Sequence, residues 1–462
     1  MTVAEGKNIV NKRTFLKACS AVLTSRVLSP VLTWSSDHKL TNWAGNLEYG
    51  TEKLYSAKSP KDVQGFVRNR KKLKVLGTRH CFNKIADTSA EFLSLKPMDQ
   101  VLQLDATAKT VTIESGLSYG QLCPYLDREG WALHNLASLP HISVAGACST
   151  ATHGSGEKNG NLATEVSALE MVIANGDLVK LSRSQDGEAF RGAVVGLGAL
   201  GVITRLTLDI QPRFMMKQYV YQDMPINELK GNFDAIESAA YSVSLFTDWQ
   251  SQRINEVWLK IRMPEQPIFD APAEFFGAKR STRNLHPIIE LSPENCTEQM
   301  GVPGPWYERL PHFRMGFMPS AGKELQSEYF VPRGNAIDAI LAVARLRDQV
   351  GPHLLISEIR TIAADDLWMS PCYKQPSVTI HFTWKPDWPS VQRLLPVIER
   401  ELSPFQVRPH WGKLFTFSSA DIHSKYERLP EFVEACTKYD PHGKFRNEFL
   451  NRNIFGNDNV TS

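Results

Sequence analysis

The stretch Gly196-Leu197-Gly198-Ala199-Leu200-Gly201 narrows the architecture more than any other part of this chain, because the residues after it are wrong for the fold its glycines advertise. A G-x-G-x-x-G fingerprint serves a dinucleotide fold only between a strand and a helix, where the helix N-terminus meets the pyrophosphate. Here the glycines run into Val202-Ile203-Thr204-Arg205-Leu206-Thr207-Leu208, which is rich in β-branched residues and alternates, and so predicts a strand. A doubly wound parallel sheet is set aside. The glycines are read instead as places where the backbone approaches another group closely.

The flanking elements give the same α+β class. VLQLDATAKTVTIESG predicts two period-2 strands joined by a polar turn, and LEMVIANGDLVKLS predicts a hairpin at Asn175-Gly176. Between them SYGQLCPYLDREG predicts a helix, with Ser118 and Gln121 spaced as a capping box and Gly130 as its stop. A length of 462 residues exceeds one compact core, and Pro212, after the strand VITRLTLDI, marks an end to the first domain. The expected organisation is residues 1–40 as leader and linker, 41–212 as the first domain, 213–405 as a second, and 406–462 as a tail that returns to the first. Helices over 336–350, N-capped by Asn335, and over 391–402 are expected to cover the second domain's sheet from behind.

Charge and cysteine usage exclude some functions. A net charge of +3 with no Lys/Arg-rich run lacks the electrostatic footprint of a nucleic-acid binder. Seven cysteines with no CxxC pair argue against a zinc site and a disulfide framework, so free thiols and no metal are expected. Near the N-terminus, Lys12-Arg13 precedes Phe15-Leu16 and a short apolar segment, like a twin-arginine export signal with Lys for the first Arg. That reading expects a periplasmic or exported protein. The alternative is a disordered or amphipathic N-terminal helix and a cytoplasmic protein. Lys17, Arg26 and Pro30 interrupt the segment, so it is no membrane span.

Two further stretches point to chemistry. VLGTRHCFN breaks a strand at Gly77 and presents Arg79, His80 and Cys81 at a turn. ASLPHISVAGACSTATHGSG, from Ala137 to Gly156, holds small and hydroxyl residues almost throughout. Such backbone can turn successive N–H groups toward an anion, or can be a mobile surface loop. In the C-terminal half, period-2 reading of LLISEIRTIAAD puts Glu358 and Arg360 on one face of a strand, and SVTIHFTWKP does the same for His381 and Thr383. Two adjacent strands presenting one polar patch fit this pattern, and so does a sheet that merely faces water.

NWAGN, VLGTRHCFN, ASLPHISVAGACSTATHGSG, GLGALGVITR, CTEQMGVPGPWYERLPHFR, SEIRTIAAD and RPHWGK, in this order, resemble the vanillyl-alcohol-oxidase-type flavoproteins, nearest to the alditol oxidases and their relatives the aldonolactone oxidases. The resemblance runs from about residue 41 to DPHGKFRNEF near the C-terminus. It implies a two-domain α+β flavoprotein, with a PCMH-type FAD-binding domain and a substrate-binding cap. In that family the histidine of the G-x-x-H turn is bonded to the 8α-methyl of FAD, and His80 matches it. Resemblance likewise assigns Gly77, Thr78, Arg79, Cys81, Asn83, Ser138, Ser143, Gly146, Thr150, His153, Gly154, Val202 and Ile203 to the cofactor. Neither Cys81 nor Cys148 has a sequence reason to form a second flavin bond.

The same resemblance places Ser138, Glu358, Arg360, His381, Thr383 and Lys413 at the substrate. The residue types suit alcohol oxidation. A neutral His381 is the candidate base for the hydroxyl proton. Lys413 and Arg360 stabilise alkoxide character, and Glu358 accepts hydrogen bonds from a polyol and holds Arg360. Ser138 and Thr383 bind further hydroxyls, and Ala137 is the small residue governing oxygen access. The implied activity is oxidation of a polyol's terminal primary alcohol to an aldose, with oxygen reduced to hydrogen peroxide. An aldonolactone oxidase or dehydrogenase is the alternative, and a non-catalytic carbohydrate-binding flavoprotein the third. The CTEQMGVPGPW and SEIRTIAAD matches favour the first.

Overall fold

A computed structural model describes residues 39–264, 269–317, 322 and 324–456. Residues 1–38, which carry the candidate export signal, lie outside them. The strand that rejected the dinucleotide fold is present as Val202–Asp209. It lies in the middle of a five-stranded antiparallel sheet, in the order Val101–Asp105, Thr110–Glu114, Val202–Asp209, Val166–Val172, Leu178–Ser182. Its burial alternates strictly along eight residues, as a half-buried antiparallel strand requires. Both expected hairpins belong to this sheet, and Gly176 takes the positive φ (+86°) that its turn needs. The expected helix is Tyr119–Arg128, where the Gln121 side chain accepts from the Ser118 N–H (3.0 Å).

A small parallel sheet, Leu54–Ser56, Phe92–Ser94 and Lys74–Val75, stands beside it, and its last strand delivers the turn at Gly77. A ten-stranded antiparallel sheet begins at Met215. Its central order is Met215–Pro225, Arg253–Met263, Ser242–Thr247, Leu354–Ile362, Ser377–Trp384, Leu325–Pro332, Arg408–Pro409. The last of these short strands pairs with Tyr329 and Phe330, so the large sheet reaches beyond residue 405. The chain then returns to the first sheet region: the Phe82 N–H donates to Gly412 O (2.8 Å) and Leu73 N–H to Lys444 O (3.1 Å).

Every residue of Ser377–Trp384 is buried, so neither face of this strand meets water. His381 and Thr383 share one face, while Ile380, Phe382 and Trp384 share the other, where Phe382 and Trp384 stack at 5.0 Å. The helix Ala336–Arg345 packs on that second face. It stops at Arg345, and Arg347–Val350 forms a separate turn. Asn335 holds the N-cap position as expected but makes no side-chain capping bond, and its Nδ2 donates to Phe405 O (3.4 Å). The second helix starts earlier than expected, as Trp388–Leu402. Asp387 accepts from Ser390 N–H (3.3 Å), and Pro389 sits in the first turn, where its missing N–H costs nothing. A single apolar cluster contains both Leu206 of the five-stranded sheet and Ile380 of the large one, so the two sheets share a core. No helix among the described residues is long and apolar enough to cross a membrane.

Candidate active site

The turn after Lys74–Val75 puts Arg79 in the left-handed region (φ +65°), which swings the next residue inward. His80 then lies on the Trp43 indole, stacked at 4.8 Å and 25°. Its Nε2 is 2.5 Å from Nε2 of His141, and its Nδ1 is buried with no hydrogen-bond partner. Burial, and next the adjacent His141, pull the His80 pKa down to about 3, so the ring is neutral at ordinary pH. The loop from Ala137 joins the turn from the other side, because Thr78 Oγ1 accepts from Ser143 N–H (3.4 Å). A Cβ on Gly77 would come within 3.2 Å of Ser143 Oγ, and one on Gly146 within 2.7 Å of the same atom. An orphaned, buried imidazole nitrogen beside side-chain-free backbone is a donor set that fits FAD.

The polar row in the large sheet is built by register. Glu358 lies directly across from His381, and His381 directly across from Glu328, which makes one row over three neighbouring strands. Residues opposed in this way share a face. Arg360 and Thr383 stand two places along their strands on that same face. Asn83 ties the His80 turn to this row, since its side chain donates to Trp411 O (2.8 Å) and Lys413 O (2.7 Å). Lys413 Nζ then donates to Glu328 Oε2 (2.7 Å). Arg360 Nη2 donates to Glu328 Oε1 (2.9 Å), and its Nε lies 3.5 Å from Glu358 Oε1. His312 Nε2 is 2.7 Å from the same Glu358 oxygen, and Lys260 Nζ is 3.2 Å from His312 Nδ1.

Burial would raise Glu328, but Lys413, His153 and Arg360 outweigh it and hold the carboxyl well below the usual range. Arg360 and His312 do the same for Glu358. Burial, and after it the charge of Lys413, lowers His381 to about 4. Its Nε2 is buried with no hydrogen-bond partner, and its Nδ1 lies 3.9 Å from Glu358 Oε2, beyond hydrogen-bond length. The row therefore offers two carboxylates, two cations and a neutral imidazole with a free nitrogen. That set can take a proton from a hydroxyl and stabilise the resulting negative oxygen.

The sequence-derived residues divide accordingly. Glu358, Arg360, His381 and Lys413 are brought together, with Thr383 beside His381. Ser138 is linked to them through its carbonyl, which accepts from Phe313 N–H (3.4 Å) next to His312. Ala137 is half-buried against the main core. Cys81 bonds through its carbonyl to the Asn42 side chain (3.0 Å), and Thr150 Oγ1 donates to Gly146 O (3.2 Å) within its own short helix. His153 turns toward the Glu328 row: its Nε2 is 3.2 Å from Glu328 and its Nδ1 2.8 Å from Gly154 O. Gly154 is needed for packing, because a Cβ there would lie 2.4 Å from Asn135 Oδ1. Val202 packs in a second apolar cluster and Ile203 against the main core. Sequence reasoning does not single out Glu328, His312 or His141. Their partners lie far away in the sequence, and only the tertiary arrangement reveals them. The six described cysteines Cys81, Cys123, Cys148, Cys296, Cys372 and Cys436 are free thiols.

Comparison with known proteins gives concordant likenesses. Residues 53–182 match the FAD binding domain family, and residues 317–453 match the D-arabinono-1,4-lactone oxidase family. An alditol oxidase from Streptomyces sp. is 43% identical over 414 residues, covering 89% of this chain and 98% of that protein. The L-gulonolactone oxidase of Bos taurus is 27% identical, covering 90% of this chain and 98% of its own. Among solved structures, cholesterol oxidase from B. sterolicum superimposes with a TM-score of 0.71 at 15% identity, covering 90% of this chain and 96% of that one. The fold is therefore that of an FAD-binding domain joined to a second domain.

Proposed function

This chain belongs to the alditol oxidase family of FAD-dependent oxidoreductases, and on that premise we propose that it oxidises the terminal primary alcohol of acyclic sugar alcohols such as xylitol and sorbitol to an aldose, with oxygen reduced to hydrogen peroxide. The observation that carries this reading is the buried row Glu358, His381, Glu328 with Arg360 and Lys413, tied through Asn83 to the His80 turn. When bound, FAD supplies the two-electron acceptor and passes those electrons to oxygen. His381 Nε2 takes the hydroxyl proton, since the ring is neutral above about pH 4. Lys413 and Arg360 stabilise the developing alkoxide. Glu358 accepts hydrogen bonds from the polyol, and Ser138 and Thr383 bind its further hydroxyls. An uncharged, flexible substrate needs several such contacts to hold one terminal carbon in place.

His80 is the proposed covalent anchor. Support comes from its Nδ1, buried and unpartnered, and from His141, which engages the opposite nitrogen and leaves Nδ1 as the free nucleophile. Ala137 governs oxygen access in the same reading. A second reading, aldonolactone oxidation, is favoured by the 317–453 match. Anaerobic mixing of the purified protein with xylitol, sorbitol and an aldonolactone separates the two. Polyol-driven bleaching and then peroxide release in air are expected, and bleaching by the lactone alone would replace the first reading with the second.

A further inference from the structure

We infer that Glu328 is a positioning residue of this site: a carboxylate that never meets substrate, yet fixes Arg360 and keeps Lys413 charged for the alcohol oxidation. This role rests on the proposed polyol oxidation and deepens it. The Glu328 side chain has no exposed surface and both of its oxygens are taken by other side chains, so neither is left to meet a polyol. Its two oxygens are divided among three segments of chain. Oε2 accepts from Lys413 Nζ (2.7 Å), and Oε1 accepts from Arg360 Nη2 (2.9 Å) and lies 3.2 Å from His153 Nε2.

Its backbone completes the clamp. Glu328 O accepts from His410 N–H (3.0 Å), and Gln326 O accepts from Leu414 N–H (2.9 Å), so the Lys413 loop is pinned to this strand on both sides. Those main-chain bonds would hold the loop whatever side chain stood at 328. The carboxylate must therefore be explained by what it does to the two cations. Burying a charge is expensive unless it is compensated, and here both compensating groups are the ones that face the alcohol oxygen.

His153, Glu328 and His410 also place their ligand atoms within 4.8 Å of one another, a spacing that would suit a metal ion. Both carboxylate oxygens already face Arg360 and Lys413, so a divalent cation there would meet two like charges at contact distance. The cluster is built to hold side-chain cations.

Several groups decide the charge of Lys413. Glu328 faces it from one strand, His381 from the next, Glu358 and Arg360 from the one beyond, Glu324 from just before the first, and His410 from its own loop. Burial lowers the Lys413 pKa, Glu328 is the largest opposing influence, and Arg360 works with burial. Loss of the Glu328 charge removes the main group that keeps the ammonium protonated.

The test is the pH profile of anaerobic flavin reduction in wild type, Glu328→Gln and Glu328→Asp, each alone and with Lys413→Met. Glu328→Gln is expected to lower the rate about 10²-fold near neutral pH and to move the alkaline limb acidward by about one pH unit or more. Glu328→Asp should restore part of that limb. With Lys413→Met present, Glu328→Gln should cost clearly less than it does alone, about tenfold at most, because only its hold on Arg360 is then left to lose. An unmoved limb, or an equal rate loss in both backgrounds, would overturn the inference. Should Glu328→Gln fail to retain FAD, Glu328→Asp decides: an alkaline limb lying acidward of the wild type supports the role, and a wild-type limb refutes it. Xylitol bleaching of the wild type tests the functional reading separately, and the variants are compared with whichever substrate bleaches it.

Discussion

Replacing Arg360 with leucine tests the electrostatics of the whole row. The guanidinium lies on both buried carboxylates, 2.9 Å from Glu328 and 3.5 Å from Glu358, and only about 5% of the residue is exposed. Removing one partner from a buried ion pair costs about 3–5 kcal/mol, because the remaining charge stays buried. An unfolding entropy of about 2.1 cal/mol/K per residue gives about 1 kcal/mol/K for a chain of this length, so Tm should fall by about 3–5 °C.

The loss should depend on pH in a defined direction. In the wild type both carboxyls are held below their ordinary range, so they contribute stability that is present above the unfolded value of about 4.3 and is lost as pH falls through the folded value. Without Arg360, Glu358 loses its largest lowering influence while Glu328 keeps Lys413 and His153, so the pH-dependent part of the loss falls on Glu358. The Tm difference between the two proteins should thus be widest above about pH 5 and should narrow toward about pH 4. Differential scanning calorimetry across that range reads it directly. A gap that is constant with pH, or worth less than about 1 kcal/mol, would refute the picture of Arg360 as the shared counter-ion. Arg360→Lys should not rescue the loss, because an ammonium cannot reach both carboxylates as the planar fork does.

Four other outcomes are expected. Acid precipitation of the holoenzyme should leave the yellow colour with the peptide containing His80, and His80→Ala should release FAD on denaturation while retaining part of it when folded. Gly154→Ala should cost about 1–3 kcal/mol in denaturant unfolding, because its Cβ would meet Asn135 Oδ1 at 2.4 Å and Leu136 O at 2.5 Å. Ala137→Val should slow reoxidation by oxygen in stopped flow and leave reduction of artificial dyes nearly unchanged; equal slowing of both would count against an oxygen-access role. Changing Lys12 and Arg13 to Gln should retain the protein in the cytoplasm with Met1 uncleaved where the wild type is exported, and an unchanged distribution would retire the export proposal.

Much of the fold was legible because antiparallel strands with one half-buried face write their burial into the sequence with period 2. Val202–Asp209 is the clearest case, and the hairpin at Asn175-Gly176 adds the turn chemistry that period alone lacks. The same logic placed Glu358 with Arg360 and His381 with Thr383, but it left a water-facing sheet in contention. That alternative fails because both faces of Ser377–Trp384 are buried, which no periodicity can reveal for a strand covered on two sides. Asn335 stands at the N-cap position the sequence assigned, but its side chain makes no capping bond and its Nδ2 reaches Phe405 O, about seventy positions away in the sequence, a contact no local pattern displays.

The residues that escaped share one physical trait. Glu328, His312 and His141 act on other side chains, so their importance lies in distances that the sequence does not order: 2.9 Å to Arg360, 2.7 Å to Glu358 and 2.5 Å to His80. A group that meets substrate can be proposed from its chemistry, because the reaction demands an acid, a base or a cation. A group that sets the charge of another has no such signature. Its one sequence trace is an ionisable residue inside an apolar strand, as in LQSEYFVP, where a carboxylate would be prohibitively costly without a cation brought to it from elsewhere. Such a residue must either find cations or lose its charge, and this chain shows both outcomes: burial pushes Glu256 up to about 7 with no cation beside it among the described residues, whereas at 328 the fold supplies Arg360 from one strand and Lys413 from the loop that the glutamate's own backbone holds in place.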